Sequence, residues 1–158
     1  MYHGDCKLSQ ERYEKIPEKL AEIENKIKNW EADIALDGKN IQAAIVEQPS
    51  LLAYYDQICV EAGYYVDLME MVVKKVRAER IKYIRDNYSK EYTDTAIQKV
   101  VDGDPKYINA YQIYIEVKEV YDKCKSLVEA FKQRSYSLNN LVKIYEGELY
   151  NITIRSSE

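Results

Sequence analysis

From Tyr107 to Leu149 the apolar positions recur without a miss: Tyr107, Ala110, Tyr114, Val117, Tyr121, Cys124, Val128, Phe131, Ser135, Leu138, Val142, Tyr145 and Leu149. The steps alternate three and four, which predicts one helix carrying a heptad seam along its whole length. At about 1.5 Å per residue that helix runs roughly 65 Å, and it cannot bury its own seam. Other helices, from this chain or from copies of it, must cover it.

A second heptad stripe, Tyr13, Ile16, Leu20, Ile23, Ile27, Trp30 and Ile34, opens the N-terminal segment 13–48. Pro17 suits a first turn and Gly38 a C-terminal cap, so the spacing predicts a firm helix from Pro17 to Asp37. A short helical piece, Ile41 to Val46, follows before Pro49. Ser50 opens the next long segment, to about Tyr88, with the stripe Leu51, Tyr55, Ile58, Ala62, Tyr65, Met69, Val72 and Val76, then Ile81, Ile84 and Tyr88. The slip after Val76 rotates the face offered to neighbours. Gly63, mid-helix, marks a close helix contact at Ala62-Gly63. Thr95 to Gln98 reads as a capping box for a short helix ending near Val101, and Asp102-Gly-Asp-Pro105 as a turn in which Asp104 caps the final helix. The expected fold is all-α: one domain over residues 1–158, an elongated helical hairpin or bundle (hairpin 50–150) with coiled-coil-like seams, oligomeric, and flexible at 1–12 and 151–158.

Composition fits this picture. The 158 residues are 46% hydrophobic, with five glycines and three prolines, and sixteen tyrosines stand against one Phe and one Trp. Tyrosine packs its ring while keeping a polar tip wet, which suits narrow bundles and contact surfaces. No apolar run is long enough for a membrane span. Cys6, Cys59 and Cys124 are odd in number and scattered, and no apolar leader follows Met1, so the expected setting is reducing and cytoplasmic, with Asn87 and Asn151 incidental as glycosylation triplets.

Little points to catalysis. The single histidine, His3, lies in a patternless terminus, no paired Cys or His has zinc-site spacing, and no phosphate-loop, dinucleotide or nucleophile-elbow motif is present. Carboxylates such as Glu116, Glu119 and Asp122 alternate with lysines as on a solvated helix face. The expectation is a non-enzyme without metal or cofactor.

The net charge of −4 does not mark the whole chain as a ligand for polyanions, but charge is uneven. Between Lys74 and Lys90 seven basic residues (Lys74, Lys75, Arg77, Arg80, Lys82, Arg85, Lys90) face two acidic ones, a local balance of +5. Lys74, Lys75, Lys82 and Arg85 share one sector of a helix opposite Val76 and Ile84, interleaved with Tyr83, Tyr88 and Tyr92. Cations that follow phosphates and rings that stack on unpaired bases are the chemistry of single-strand binding; a solvated face with packed tyrosines is the alternative. A second basic group is Lys132, Arg134 and Lys143. Arg134 falls in the row of Ile113, Val120, Leu127 and Leu141, where it can pair with an acid, set register or reach a phosphate.

One stretch, Ala130-Phe-Lys-Gln-Arg134-Ser-Tyr-Ser-Leu138-Asn-Asn-Leu141, resembles phage UvsY-type recombination mediators, which show a similar run of alanine, apolar, lysine, variable, arginine, small, aromatic, then apolar-polar-polar-apolar. Lys74 to Tyr88 resembles that family's basic helix ending in tyrosines, and Tyr92 to Tyr107 its connection into the last helix, so the likeness covers about residues 65–145. It implies a homo-oligomeric accessory protein of DNA recombination and repair, in the cytoplasm of a phage host. Such a protein binds single-stranded DNA and helps load a RecA-like recombinase onto strands covered by single-strand-binding protein. Carried over, it implies DNA contact at Lys75, Arg77, Arg80 and Lys82 and oligomer contact around Phe131 to Leu141. Together with the charge and seam patterns, the expected DNA-contact set is Lys74, Lys75, Arg77, Arg80, Lys82, Tyr83, Arg85 and Tyr88, and the expected oligomer contact Tyr121, Val128, Phe131, Arg134, Leu138 and Leu141. The long N-terminal heptad helix, the tyrosine wealth and the acidic balance depart from the family pattern. Read without the resemblance, the same residues fit a helical scaffold or adaptor acting through coiled-coil self-association.

Overall fold

The computed structural model describes residues 15–36, 40–87 and 92–155, with side chains up to 147. Tyr13, Asp37, Gly38, Tyr88 and Lys90 lie outside the described residues, as do His3 and Cys6. Among the described residues five helices follow one another: α1 (Ile16–Ile27), α2 (Trp30–Ile34), α3 (Ile41–Asn87), α4 (Asp94–Asp102) and α5 (Pro105–Arg155). Helices α3 and α5 form a long antiparallel hairpin. α1 and α2 lie along its open end, and α4 closes its tip.

From Ala110 to Leu138 the seam of α5 is covered by its own chain, while further on Val142 is half-buried and Tyr145 is exposed. Ala110, Val117, Cys124, Val128, Phe131 and Leu138 are buried, and Val120, Leu127 and Arg134 join them. The apolar row widens from a seam into a face because α5 is covered from two sides, by α3 and by α1 with α2. Ile16, Leu20, Ile23 and Ile27 of α1 meet Tyr55, Ile58, Ala62 and Met69 of α3 and the α5 face in one core. At its centre the Tyr55 and Phe131 rings stack with centroids 4.3 Å apart. Tyr55 donates its hydroxyl to Asp33 Oδ2 at 2.8 Å. Burial first, then this bond and the Asp33 charge, raises its pKa.

Several boundaries differ from the sequence expectation. The N-terminal helix is interrupted at Asn29, whose backbone (φ −93°, ψ 8°) sits in the sparsely allowed bridge region, and α2 ends where Ala35 turns extended. Pro49 does not end a helix; it lies inside α3. Proline deprives the Ile45 carbonyl of its partner, a disruption of about 3 kcal/mol in an isolated helix, but both residues are on the wet side. Ala44 and Gln48, one turn away, are buried against α5 and hold the helix through the site. The cap of α4 is Thr93, not Thr95: its side chain accepts from the Ala96 N–H at 3.3 Å, the register that buries Ile97 and Val101. Helix α5 continues past Tyr150 to Arg155.

Other local readings hold. Asp104 Oδ1 accepts from the Lys106 N–H at 2.9 Å and Pro105 begins α5. A Cβ on Gly63 would stand 3.2 Å from the Tyr121 ring, so the glycine admits a close helix contact. After Val76 the apolar stripe slips, and Ile84, with Ile81 beside it, packs on Ile97 and Val101 of α4 in a second, smaller cluster.

Candidate nucleic-acid interface

Helix α3 carries every described residue of the proposed basic ridge, but the structure divides them by chemistry. The slip after Val76 leaves Arg77 and Arg80 on the side that continues the buried stripe, so their guanidinium groups turn toward α4 and α5. Arg77 Nη2 donates to Asp102 Oδ1 at 3.0 Å, with its Cζ 5.7 Å from the Tyr107 ring centroid. Arg80 Nε donates to Asp104 Oδ2 at 2.7 Å in a pair whose side chains are only 20% and 10% exposed, and its Cζ lies 4.4 Å from the Tyr83 ring centroid. Arg85 Nη2 donates to Asp94 Oδ1 at 2.7 Å. Three arginines thus hold three aspartates that bracket α4 at its start, its end and the turn that follows. The planar guanidinium suits such carboxylate pairing.

Asp104 feels opposing forces. Its burial favours the protonated form, but the hydrogen bond from Arg80, the backbone bonds from Lys106 and Tyr107 and the Arg80 charge outweigh it, and its pKa is lowered. A signal for these clamps was present in the sequence. Extending the charge window from Lys90 to Asp104 adds Glu91, Asp94, Asp102 and Asp104 against Lys99, so the balance falls from +5 to +2, with eight basic and six acidic residues. The arginines of the ridge have acids of their own fold to meet.

The lysines behave differently. Lys74, Lys75 and Lys82 are exposed on the outer face of α3. Lys74 Nζ contacts Glu70 Oε1 at 2.7 Å with its side chain 73% exposed, and Lys75 Nζ is 4.0 Å from Glu79 Oε1. Solvated, screened pairs of this kind add little to stability, so these lysines can exchange a carboxylate for a phosphate at small expense. Tyr83 and Tyr92 stand half-exposed at an open pocket of about 190 Å³, lined also by Arg80, Ile84, Val100 and Asp104. Of the expected DNA-contact residues, the structure therefore groups Lys74, Lys75, Lys82, Tyr83 and the solvated Arg85 on accessible surface and commits Arg77 and Arg80 to the tip. Tyr88 lies outside the described residues.

The residues expected at an oligomer contact are largely occupied within one chain. Val128, Phe131, Arg134 and Leu138 are buried in the bundle; Tyr121 and Leu141 are half-buried. Arg134 finds no acid among the described residues. Its Nε donates to the Ile34 carbonyl at 3.1 Å and its Nη1 to Gln48 Oε1, while Gln48 Nε2 donates to the Phe131 carbonyl at 2.6 Å. The arginine ties α2, α3 and α5 together, away from any phosphate. Its companions Lys132 and Lys143 are exposed.

The two described thiols, Cys59 and Cys124, are held toward the protonated form. Burial, and secondarily the Cys59 thiol, pushes Cys124 up to about 11, and burial also raises Cys59. Among the described residues no three His, Cys, Asp or Glu side chains converge as a metal site, and no helix is long and apolar enough to cross a membrane. The chain matches no known protein family, no curated protein and no solved structure. The resemblance to UvsY-type mediators therefore rests on the residue pattern alone.

Proposed function

We propose that this protein is a non-enzymatic accessory factor that binds single-stranded DNA and assists a RecA-like recombinase in displacing single-strand-binding protein. One observation carries the nucleic-acid reading: Lys74, Lys75 and Lys82 share an exposed face of α3 that ends where Tyr83 and Tyr92 stand half-exposed beside an open pocket. Mobile ammonium groups follow a flexible phosphate chain, and exposed rings stack on bases of any sequence. The recombinase and single-strand-binding partners come from the Ala130 to Leu141 resemblance. The arginines serve this reading indirectly, by fixing the tip on which Tyr83 and Tyr92 sit.

Titration of a fluorescent single-stranded oligonucleotide tests it. Affinity falls as salt rises, with a slope near 0.7 per phosphate contact, and Lys75→Glu with Lys82→Glu lowers it about tenfold or more at low salt. Absence of binding at low salt overturns the proposal.

A second reading, a helical scaffold acting through self-association, is favoured by a separate observation. Val46, Val60, Tyr64 and Met71 of α3 are 77%, 68%, 54% and 68% exposed, an apolar row that the described residues leave uncovered apart from the edge contact of the Tyr64 ring with Tyr65. Under that reading the double lysine reversal leaves assembly and function intact.

A further inference from the structure

At about 100° per residue, Val46, Val60, Tyr64 and Met71 fall within a narrow sector of α3, opposite the face that buries Tyr55, Ala62 and Met69. The row they belong to has heptad spacing: Val46, Ser50, Ala53, Gln57, Val60, Tyr64, Asp67, Met71. Its order is self-complementary. Laid antiparallel on a second copy, Val46 faces Met71, Ser50 faces Asp67, Ala53 faces Tyr64 and Gln57 faces Val60. Apolar thus meets apolar at the ends, a hydroxyl donor meets a carboxylate and the smallest side chain meets the largest, while at the centre the Gln57 stem lies on Val60 with its amide at the rim. In a parallel pairing each residue faces its own copy instead, which sets Asp67 against Asp67 and Tyr64 against Tyr64.

We infer that the outer face of α3, residues 46–71, is a self-association surface on which two copies pack antiparallel about a two-fold axis. An isologous contact requires the same patch to fit itself, and this row does. The strongest apolar seam in the sequence, on α5, is occupied within the chain, so association passes to the weaker seam that the fold leaves outside. In this register Lys82 lies past the first residue of the opposing α3, while Lys74 and Lys75 come opposite its positions 43 and 42, so only the Lys82 end of each basic ridge extends beyond the pair. The inference rests on the self-association reading and not on DNA binding, so mass is measured without oligonucleotide.

Solution mass of the full chain and of Val60→Glu and Met71→Glu tests the face. Both positions are largely solvent-exposed in the single chain, so the variants keep wild-type helicity by circular dichroism while the mass falls to that of the monomer. Oxidative cross-linking tests direction. A mixture of Val46→Cys and Met71→Cys proteins gives a disulfide between positions 46 and 71, identified by mass spectrometry, in several-fold excess over linkage of either position to itself. A wild-type monomer overturns both the inference and the self-association reading. A wild-type oligomer whose mass is unmoved by the glutamates overturns this face while leaving self-association standing, and preferential self-linkage overturns the antiparallel arrangement.

Discussion

The body of the bundle and its tip are built from the same two helices but held by different forces. In the body, α1, α2, α3 and α5 converge on one apolar core, and Ile23, Tyr55, Met69, Val117 and Phe131 are no more than 1% exposed. At the tip the apolar cluster shrinks to Ile84, Ile97 and Val101 with Ile81 and Tyr107 at its margin, and three Arg-Asp pairs surround it. Where a third helix runs alongside the hairpin, burial suffices. Where the third helix has nine residues, too few to be stable alone, charged groups that reach across the turns supply the remaining order. The contrast extends to Arg134, the buried cation of the body, which is met by a carbonyl and an amide instead of a carboxylate. A cation in the core fixes how helices meet; cations at the tip fasten a short helix in place.

The comparison breaks most severely at Phe131. Phe131→Ala removes one ring of the Tyr55 stack from a site without solvent, and global stability in denaturant falls by about 3–5 kcal/mol. Tip and body then unfold together, because the tip has no core that survives the loss.

Arg80→Ala gives a smaller and local effect, about 2 kcal/mol, because Asp104 is left poorly compensated in a largely buried position. Hydrogen exchange speeds up in α4 and the first turn of α5, while the body amides keep their protection. Acid sharpens the same distinction. The folded-state pKa of Asp104 lies below the ordinary aspartate value of 3.8, so its contribution is present above that value and is lost as pH falls through the lowered one. Exchange measured on acidification therefore shows the tip opening before the body, and Arg80→Ala weakens that pH dependence, leaving the share that the Lys106 and Tyr107 amides supply. The smallest effect is at Arg85→Ala. Its partner Asp94 is 83% exposed, and the change in stability stays below about 1 kcal/mol.

Much of the fold was legible because periodicity survives translation into three dimensions. The α5 seam, the α3 stripe, its slip after Val76, the Asp104 cap and the close approach at Gly63 all follow from spacing or from one residue's local chemistry. The boundary errors share a cause. Local preference places a break at Pro49 and a cap at Thr95, whereas burial of Ala44 and Gln48 carries α3 through the proline and burial of Ile97 and Val101 selects Thr93 as the cap. The candidate site was legible only in part. Charge spacing located the basic helix but could not separate its lysines from its arginines, since the deciding aspartates lie 9 to 25 residues away along the chain.

Consecutive residues alone dictate that long helices exist and which stripe each must bury, because helical period and side-chain chemistry are local properties. Tertiary structure alone decided what covers each stripe. It closed the α5 seam within one chain, drew Arg77, Arg80 and Arg85 onto aspartates of the tip, and left the weaker row from Val46 to Met71 facing outward. The physical reason is that burial and ion pairing depend on distance in space, and a helix face carries no record of which neighbour will arrive to meet it.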